Sequence, residues 1–109
     1  MKYVHKRAKA CDISQEVKVR VWERDKGCCI ICGSPWAMPN AHYIIRSQGG
    51  LGIEQNIVTL CPDCHNEFDN GSGKYSEAIK KAVRDYLQGQ YDDWSEEDLS
   101  YDKWREYPV

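Results

Sequence analysis

The chain has no run of about 18 apolar residues, and no apolar stretch follows its opening MKYVHKRAKA. A membrane span and a signal peptide are therefore not expected, and a cytoplasmic setting is. It also lacks a dominant charge. Fifteen basic against 17 acidic residues leave −2, so composition alone gives no global push toward a polyanion. The distribution is uneven: residues 1–26 hold eight Lys and Arg against four Asp and Glu, residues 27–84 five against five, and residues 85–109 two against eight. Such a gradient allows one basic face, or only ordinary solvated helix surfaces. Histidine is scarce, with three in 109 residues, and there are no internal repeats. A chain this short forms one small core worth only a few kcal/mol, so a further staple is expected.

Cysteine supplies a candidate for that staple. Six cysteines in a reducing compartment need not form disulfides, and four of them fall into two pairs, Cys29-Ile30-Ile31-Cys32 and Cys61-Pro62-Asp63-Cys64. Thiolates three residues apart on a tight turn can face one metal, and two such turns complete a tetrahedron of sulfur ligands. Gly33 and Pro62 suit those turns. The expectation is a structural zinc with no open coordination position. Metal binding in small zinc modules contributes about 10 to 16 kcal/mol, more than this core can. Two independent thiol-redox sites are the alternative, but the strand-helix-strand context of such motifs is missing around Cys29. Cys28 adjoins the site and could substitute for Cys29; Cys11 reads as a small buried residue without a function.

Along the chain, the first eleven residues read as a basic, unpatterned arm. Asp12 can cap a helix over about 14–26, with Gln15 at the capping-box position, Val17 and Val21 on one face, and Gly27 as its stop. The Tyr- and Ile-rich stretch 40–47 predicts a strand, GGLG a flexible loop, residues 56–60 a second strand, and residues 63–68 a short helix starting at the second cysteine pair. Tyr75, Ile79, Ala82, Val83, Tyr86 and Leu87 predict an amphipathic helix to about residue 88. In the tail YDDWSEEDLSYDKWREYPV, residues Trp94, Leu99, Tyr101 and Trp104 are too many large apolar groups for pure disorder. The tail reads as folded back on the domain or as a partner site, with a capped turn over residues 95–98. The fold class is α+β: a zinc-stabilised core over residues 12–73, the arm before it, and a packed C-terminal part over residues 74–109.

The stretch AHYIIRSQGG raises the question of chemistry, because it sets one of three histidines, His42, in a short apolar run ending in Arg46 and two glycines. Alone, His42 is as well explained by packing. Together, the histidine, the Arg-Ser-Gln-Gly-Gly run, and Asn56-Ile-Val-Thr-Leu-Cys-Pro-Asp-Cys-His65 resemble the HNH endonuclease family, especially small phage-type members with two Cys-x-x-Cys pairs. The resemblance spans about residues 11 to 70. It implies the ββα-metal fold and metal-dependent hydrolysis of DNA phosphodiester bonds. His42 would be the general base, Asn56 a structural residue and His65 a ligand of a catalytic divalent metal such as magnesium, manganese or nickel. Arg46, two alternations along the expected strand from His42, could bind the phosphate. Double-stranded DNA is then the substrate, and phage-type relatives imply a terminase partner in the bacterial host cytoplasm.

One position departs from the family pattern. Members commonly carry Asp, Glu or His just before the general base as a second metal ligand, and here that residue is Ala41. Asp69, four residues beyond His65 on a helix, is the natural substitute. The competing reading is a catalytically degenerate zinc module that binds nucleic acid or a protein partner.

Overall fold

The computed structural model describes residues 2–71 and 73–102, with side chains described from Arg7 onward. Trp104, and the rest of the tail beyond Asp102, lie outside the described residues. The first departure from expectation is at the front, where the basic arm is a helix, α1, Lys2–Cys11. Helix α2, Gln15–Arg24, follows, and Ser14 rather than Asp12 caps it, its Oγ accepting from the Val17 N–H at 3.2 Å. Asp12 is instead drawn to Arg46.

Strand β1, Met38–His42, pairs antiparallel with β2, Ile57–Leu60. Met38 faces Leu60, Ala41 faces Val58 and His42 faces Ile57, so β1 carries one extra residue between Met38 and Ala41, a bulge. Strand β1 ends earlier than the apolar run suggested. Beyond it Tyr43 N–H still donates to the Asn56 carbonyl at 2.7 Å, and residues Arg46–Gln48 turn into a short 3-10 helix. The GGLG segment is not a loose loop: residues 49–52 are all buried, with Gly50 bridging to Ser100.

Helix α3, Pro62–Asn70, starts with proline in its first turn, where the missing N–H costs nothing, and with Cys61 as its N-cap. Helix α4, Lys74–Gln90, buries Ser76, Ile79, Val83 and Leu87; Tyr75 is exposed and does not belong to that face. The main core joins Ala41, Val58 and Leu60 to Phe68, Ile79, Val83 and Leu87, continuous with the buried cysteines 29, 61 and 64. A smaller cluster of Val17, Val21 and Ile57 seats α2. Within the described part of the tail, Leu99 is buried, its carbonyl accepts from Leu51 N–H at 2.8 Å, and Trp94 Nε1 donates to the Gln55 carbonyl at 2.8 Å. No helix among the described residues is long and apolar enough to cross a membrane.

A polar bracket locks α2 to β2 and α4. Arg24 donates to Asp25 at 2.8 Å and to the carbonyls of Glu54 and Ile57 at 2.8 and 2.6 Å. Asp25 also accepts from the Thr59 N–H at 2.9 Å and from the Tyr86 hydroxyl at 2.6 Å. Because Asp25 is buried, removing its carboxylate takes the counter-charge from Arg24 and strands a backbone N–H and a phenol. Asp25→Ala is expected to lower unfolding stability by about 3 to 5 kcal/mol in a urea titration.

Candidate active site and metal centre

The two cysteine pairs meet where β2 runs into α3. In the first knuckle Gly33 N–H donates to the Cys29 carbonyl and Cys29 N–H to the Ser34 carbonyl, both at 2.9 Å, and the turn needs the positive φ of 78° that Gly33 adopts. Ile30 N–H donates to the Thr59 carbonyl at 3.1 Å, which fastens this knuckle beside the end of β2. The second knuckle is the start of α3, with Cys64 N–H against Cys61 Sγ at 3.4 Å. The sulfurs of Cys29, Cys32, Cys61 and Cys64 all lie within 4.8 Å of one another, and Cys32 and Cys61 are 3.6 Å apart. A tetrahedral zinc–thiolate site has S–S edges of roughly 3.8 Å, so these four residues fit a metal ion. The pairs are thus one centre rather than two independent redox sites, and Cys28 stands outside it.

Electrostatics point the same way. Burial raises Cys29, but backbone hydrogen bonds at Cys32, Cys61 and Ile31 outweigh it and bring the thiol down to about 7. Cys64 is pushed the other way by burial and by the neighbouring thiols. Four thiols at this spacing cannot all ionise together unless a cation sits among them.

Beside this centre, Asn40, His42, Ile45, Arg46, Ser47, His65 and Asp69 line a cleft of about 260 Å³. His65 follows Cys64 directly, and Asp69 one turn later on α3 reaches its Nε2 at 3.0 Å. His42, the last residue of β1, is half-buried, and its Nε2 lies 2.9 Å from the Cys11 carbonyl oxygen at the end of α1. A carbonyl only accepts, so Nε2 carries the hydrogen and Nδ1 keeps the lone pair. Burial lowers the His42 pKa below 6.5; Arg46 and His65 push in the same direction, while the Cys11 carbonyl and Asp69 oppose. The ring is therefore neutral near pH 7.

Asn56 is fully buried and uses its whole amide. Its Oδ1 accepts from Ile44 N–H at 2.8 Å, and its Nδ2 donates to the carbonyls of Ile44 and Leu51 at 3.1 and 2.8 Å. This clamps the segment leaving β1. Arg46 reaches the cleft from the 3-10 turn, not from a strand face as expected. Its Nη2 is ion-paired with Asp12 and lies 3.4 Å from the Ala8 carbonyl. Ala41 is buried in the core and cannot face the cleft.

Two contributors escaped the sequence reading. Asn40 lines the cleft, and alternation back from His42 was the signal for it, since residues two apart on a strand share a face. The Cys11 carbonyl had no signal, because any residue type can present a backbone oxygen.

Residues 29–71 match the family model described as HNH endonuclease. These residues form an HNH-family domain. The chain is similar to anaredoxin of Nostoc sp. (strain PCC 7120 / SAG 25.82 / UTEX 2576), 38% identical over 47 residues that cover 42% of this chain and 62% of that protein. It is also similar to the type IV methyl-directed restriction enzyme EcoKMcrA of Escherichia coli (strain K12), 32% identical over 76 residues, 62% of this chain and 26% of that enzyme. The matched regions thus span less than two thirds of either relative. Helix α1, which supplies the carbonyl to His42, lies before the HNH-matched residues.

Gly52 tests that supply. A Cβ there would lie 2.0 Å from the Asp12 carbonyl oxygen and 3.0 Å from that of Cys11. Gly52→Ala is expected to push the end of α1 off His42, at about 1 to 3 kcal/mol of stability. Nitrogen-15 NMR of the imidazole should then show the Nε2–H tautomer giving way to a mixture, while the cysteine centre keeps its metal content.

Proposed function

We propose that this protein is a metal-dependent DNA endonuclease in which His42 is the general base, His65 and Asp69 hold a catalytic divalent cation, and Cys29, Cys32, Cys61 and Cys64 hold a structural zinc. The reading carries with it double-stranded DNA as substrate, a cytoplasmic location and, if the chain is phage-encoded, a DNA-packaging terminase as partner. The observation that supports it best is the cleft itself, where an imidazole oriented by the Cys11 carbonyl shares one cavity with the His65–Asp69 pair.

The roles follow from the atoms. His42 Nδ1 takes the proton of the attacking water, and the resulting imidazolium keeps its Nε2–H on the Cys11 carbonyl, which also favours the positive charge. Asn56 holds the backbone after His42 so that the ring does not drift. An imidazole, a carboxylate and an accessible cleft suit a magnesium-, manganese- or nickel-type ion, and Asn40 on β1 offers a carboxamide oxygen where Ala41 offers nothing. When bound, such a cation neutralises charge on the phosphate and on the departing 3' oxygen.

Wild-type protein with supercoiled plasmid and magnesium, manganese or nickel should give nicked circles. His42→Ala should slow nicking by about a hundred- to ten-thousandfold with zinc content and melting temperature unchanged. Wild type that is inert with all three metals, or a His42→Ala variant that cuts equally well, removes the enzyme reading. The alternative, a degenerate zinc module that binds nucleic acid or a protein, draws on the burial of Ala41 and the ion-paired state of Arg46.

Asn40 separates the two readings at the level of the cation. Asn40→Asp adds a hard anionic donor and should tighten manganese binding about tenfold in calorimetry, whereas Asn40→Ala should weaken it. Equal affinities across the three proteins would take Asn40 out of the ligand set.

A further inference from the structure

A second concavity, of about 500 Å³, opens beside the cleft and is lined by Arg7, Ala8, Cys11, Arg46 and Ser47. It shares Arg46 and Ser47 with the cleft, so the two form one continuous path from His42 to α1. Two guanidinium groups converge on it. Arg7 Nη2 donates to the Ser47 carbonyl at 3.2 Å, which lays the side chain along the 3-10 turn. Arg46 bonds to the Ala8 carbonyl and to Asp12 through Nη2. A guanidinium carries five N–H donors, and these bonds engage only one nitrogen of each. Like charges lining one pocket repel, and among the described residues Asp12 is ion-paired with Arg46. An arrangement of this kind gains from an anion placed between the two cations.

We propose that this pocket is a phosphate subsite, which takes the backbone phosphodiester next to the one held in the cleft. The proposal rests on the endonuclease reading for the identity of the polyanion, and it adds α1 to the nucleic-acid surface. Arg7 lies outside the HNH-matched residues, so this subsite is a feature of the chain beyond its family segment. Of the basic residues in the front of the sequence, Arg7 is the one that lines this pocket among the described residues, and the overall charge of −2 supplies no attraction of its own.

The test is the salt dependence of binding. Labelled double-stranded DNA is titrated with the full chain in calcium, without magnesium, manganese or nickel, and anisotropy is read from 50 to 200 mM salt. Arg7→Ala is expected to weaken binding several-fold at the low-salt end and to reduce the slope of log K against log salt by about 0.9, the value of one phosphate contact. Arg7→Lys should keep the slope. Arg7→Gln retains an N–H for the Ser47 carbonyl and loses the charge, so it should behave as Arg7→Ala if charge is what matters and as wild type if only the docking of α1 does. Unchanged slopes in Arg7→Ala and Arg7→Gln overturn the proposal. So does an inorganic phosphate site, seen by calorimetry without DNA, that Arg7→Ala abolishes while the DNA slope stays the same. A wild type that nicks plasmid while Arg7→Ala keeps its slope loses this subsite alone; one that binds DNA with the expected slope change but cuts nothing loses the catalytic reading alone; one that does not bind DNA loses both.

Discussion

The geometry of the whole molecule depends on four sulfurs meeting at one point. Cys29 and Cys32 come from a turn after α2, Cys61 from the end of β2, and Cys64 from the first turn of α3. Their convergence fixes where α3 begins, and the last of the four, Cys64, stands one residue before His65. A helix start can slide by a residue or two at little cost when only packing holds it, and such a slide would rotate His65 by about 100° per residue about the axis. Cys61, which caps α3 through its own sulfur, allows no such freedom. The placement of His65 and Asp69 therefore comes from the thiol cluster, and Phe68 of the same helix packs with Ile79 and Val83.

His42 is fixed by a different set of forces. Strand β1 is short, and its bulge and early end leave His42 at a boundary where a strand alone would not hold a ring steady. Three outside groups compensate. Ile57 pairs with His42 across the ladder, the Asn56 amide takes both backbone groups of Ile44, and the carbonyl at the end of α1 takes the imidazole hydrogen. The cleft thus sits between a rigid, sulfur-fixed wall carrying His65 and a wall assembled from separate pieces of chain carrying His42. Of these pieces α1 is held by the bonds of exposed Arg7 and Arg46, by the Gly52 N–H on the Ala10 carbonyl at 2.9 Å and by buried Cys11.

What the sequence made legible was local. Thiols three residues apart, a proline in the first turn of a helix, and His65 four residues before Asp69 are relations within one turn of chain, and the structure keeps them. The strand expected over 40–47 stops at residue 42 because β2 has only four residues to offer and because the N–H and carbonyl of Ile44 bond to the Asn56 side chain, a partner invisible to periodicity. Arg46 lines the cleft from a 3-10 turn and not from the strand face that alternation predicted. Helix α1 reads as an arm because basic residues dominate its sequence, and besides buried Cys11 its docking runs through backbone oxygens and arginine tips, which leave no hydrophobic pattern to read.

Ala41 brings these points together. Its methyl group faces Val58 and the core, so a carboxylate at 41 in this backbone would be buried and would disturb the same cluster that seats β1 on β2. The bulge just before it preserves that burial and still leaves Asn40 and His42 on the open side. Exchanging an anionic donor for a neutral one lowers the electrostatic attraction for a divalent cation, and the two arginines beside the cleft lower it further. A bound phosphodiester would supply the missing negative charge, which couples cation binding to substrate binding. On the proposed endonuclease reading, the cleft would hold a divalent cation weakly when empty and firmly only with nucleic acid in place.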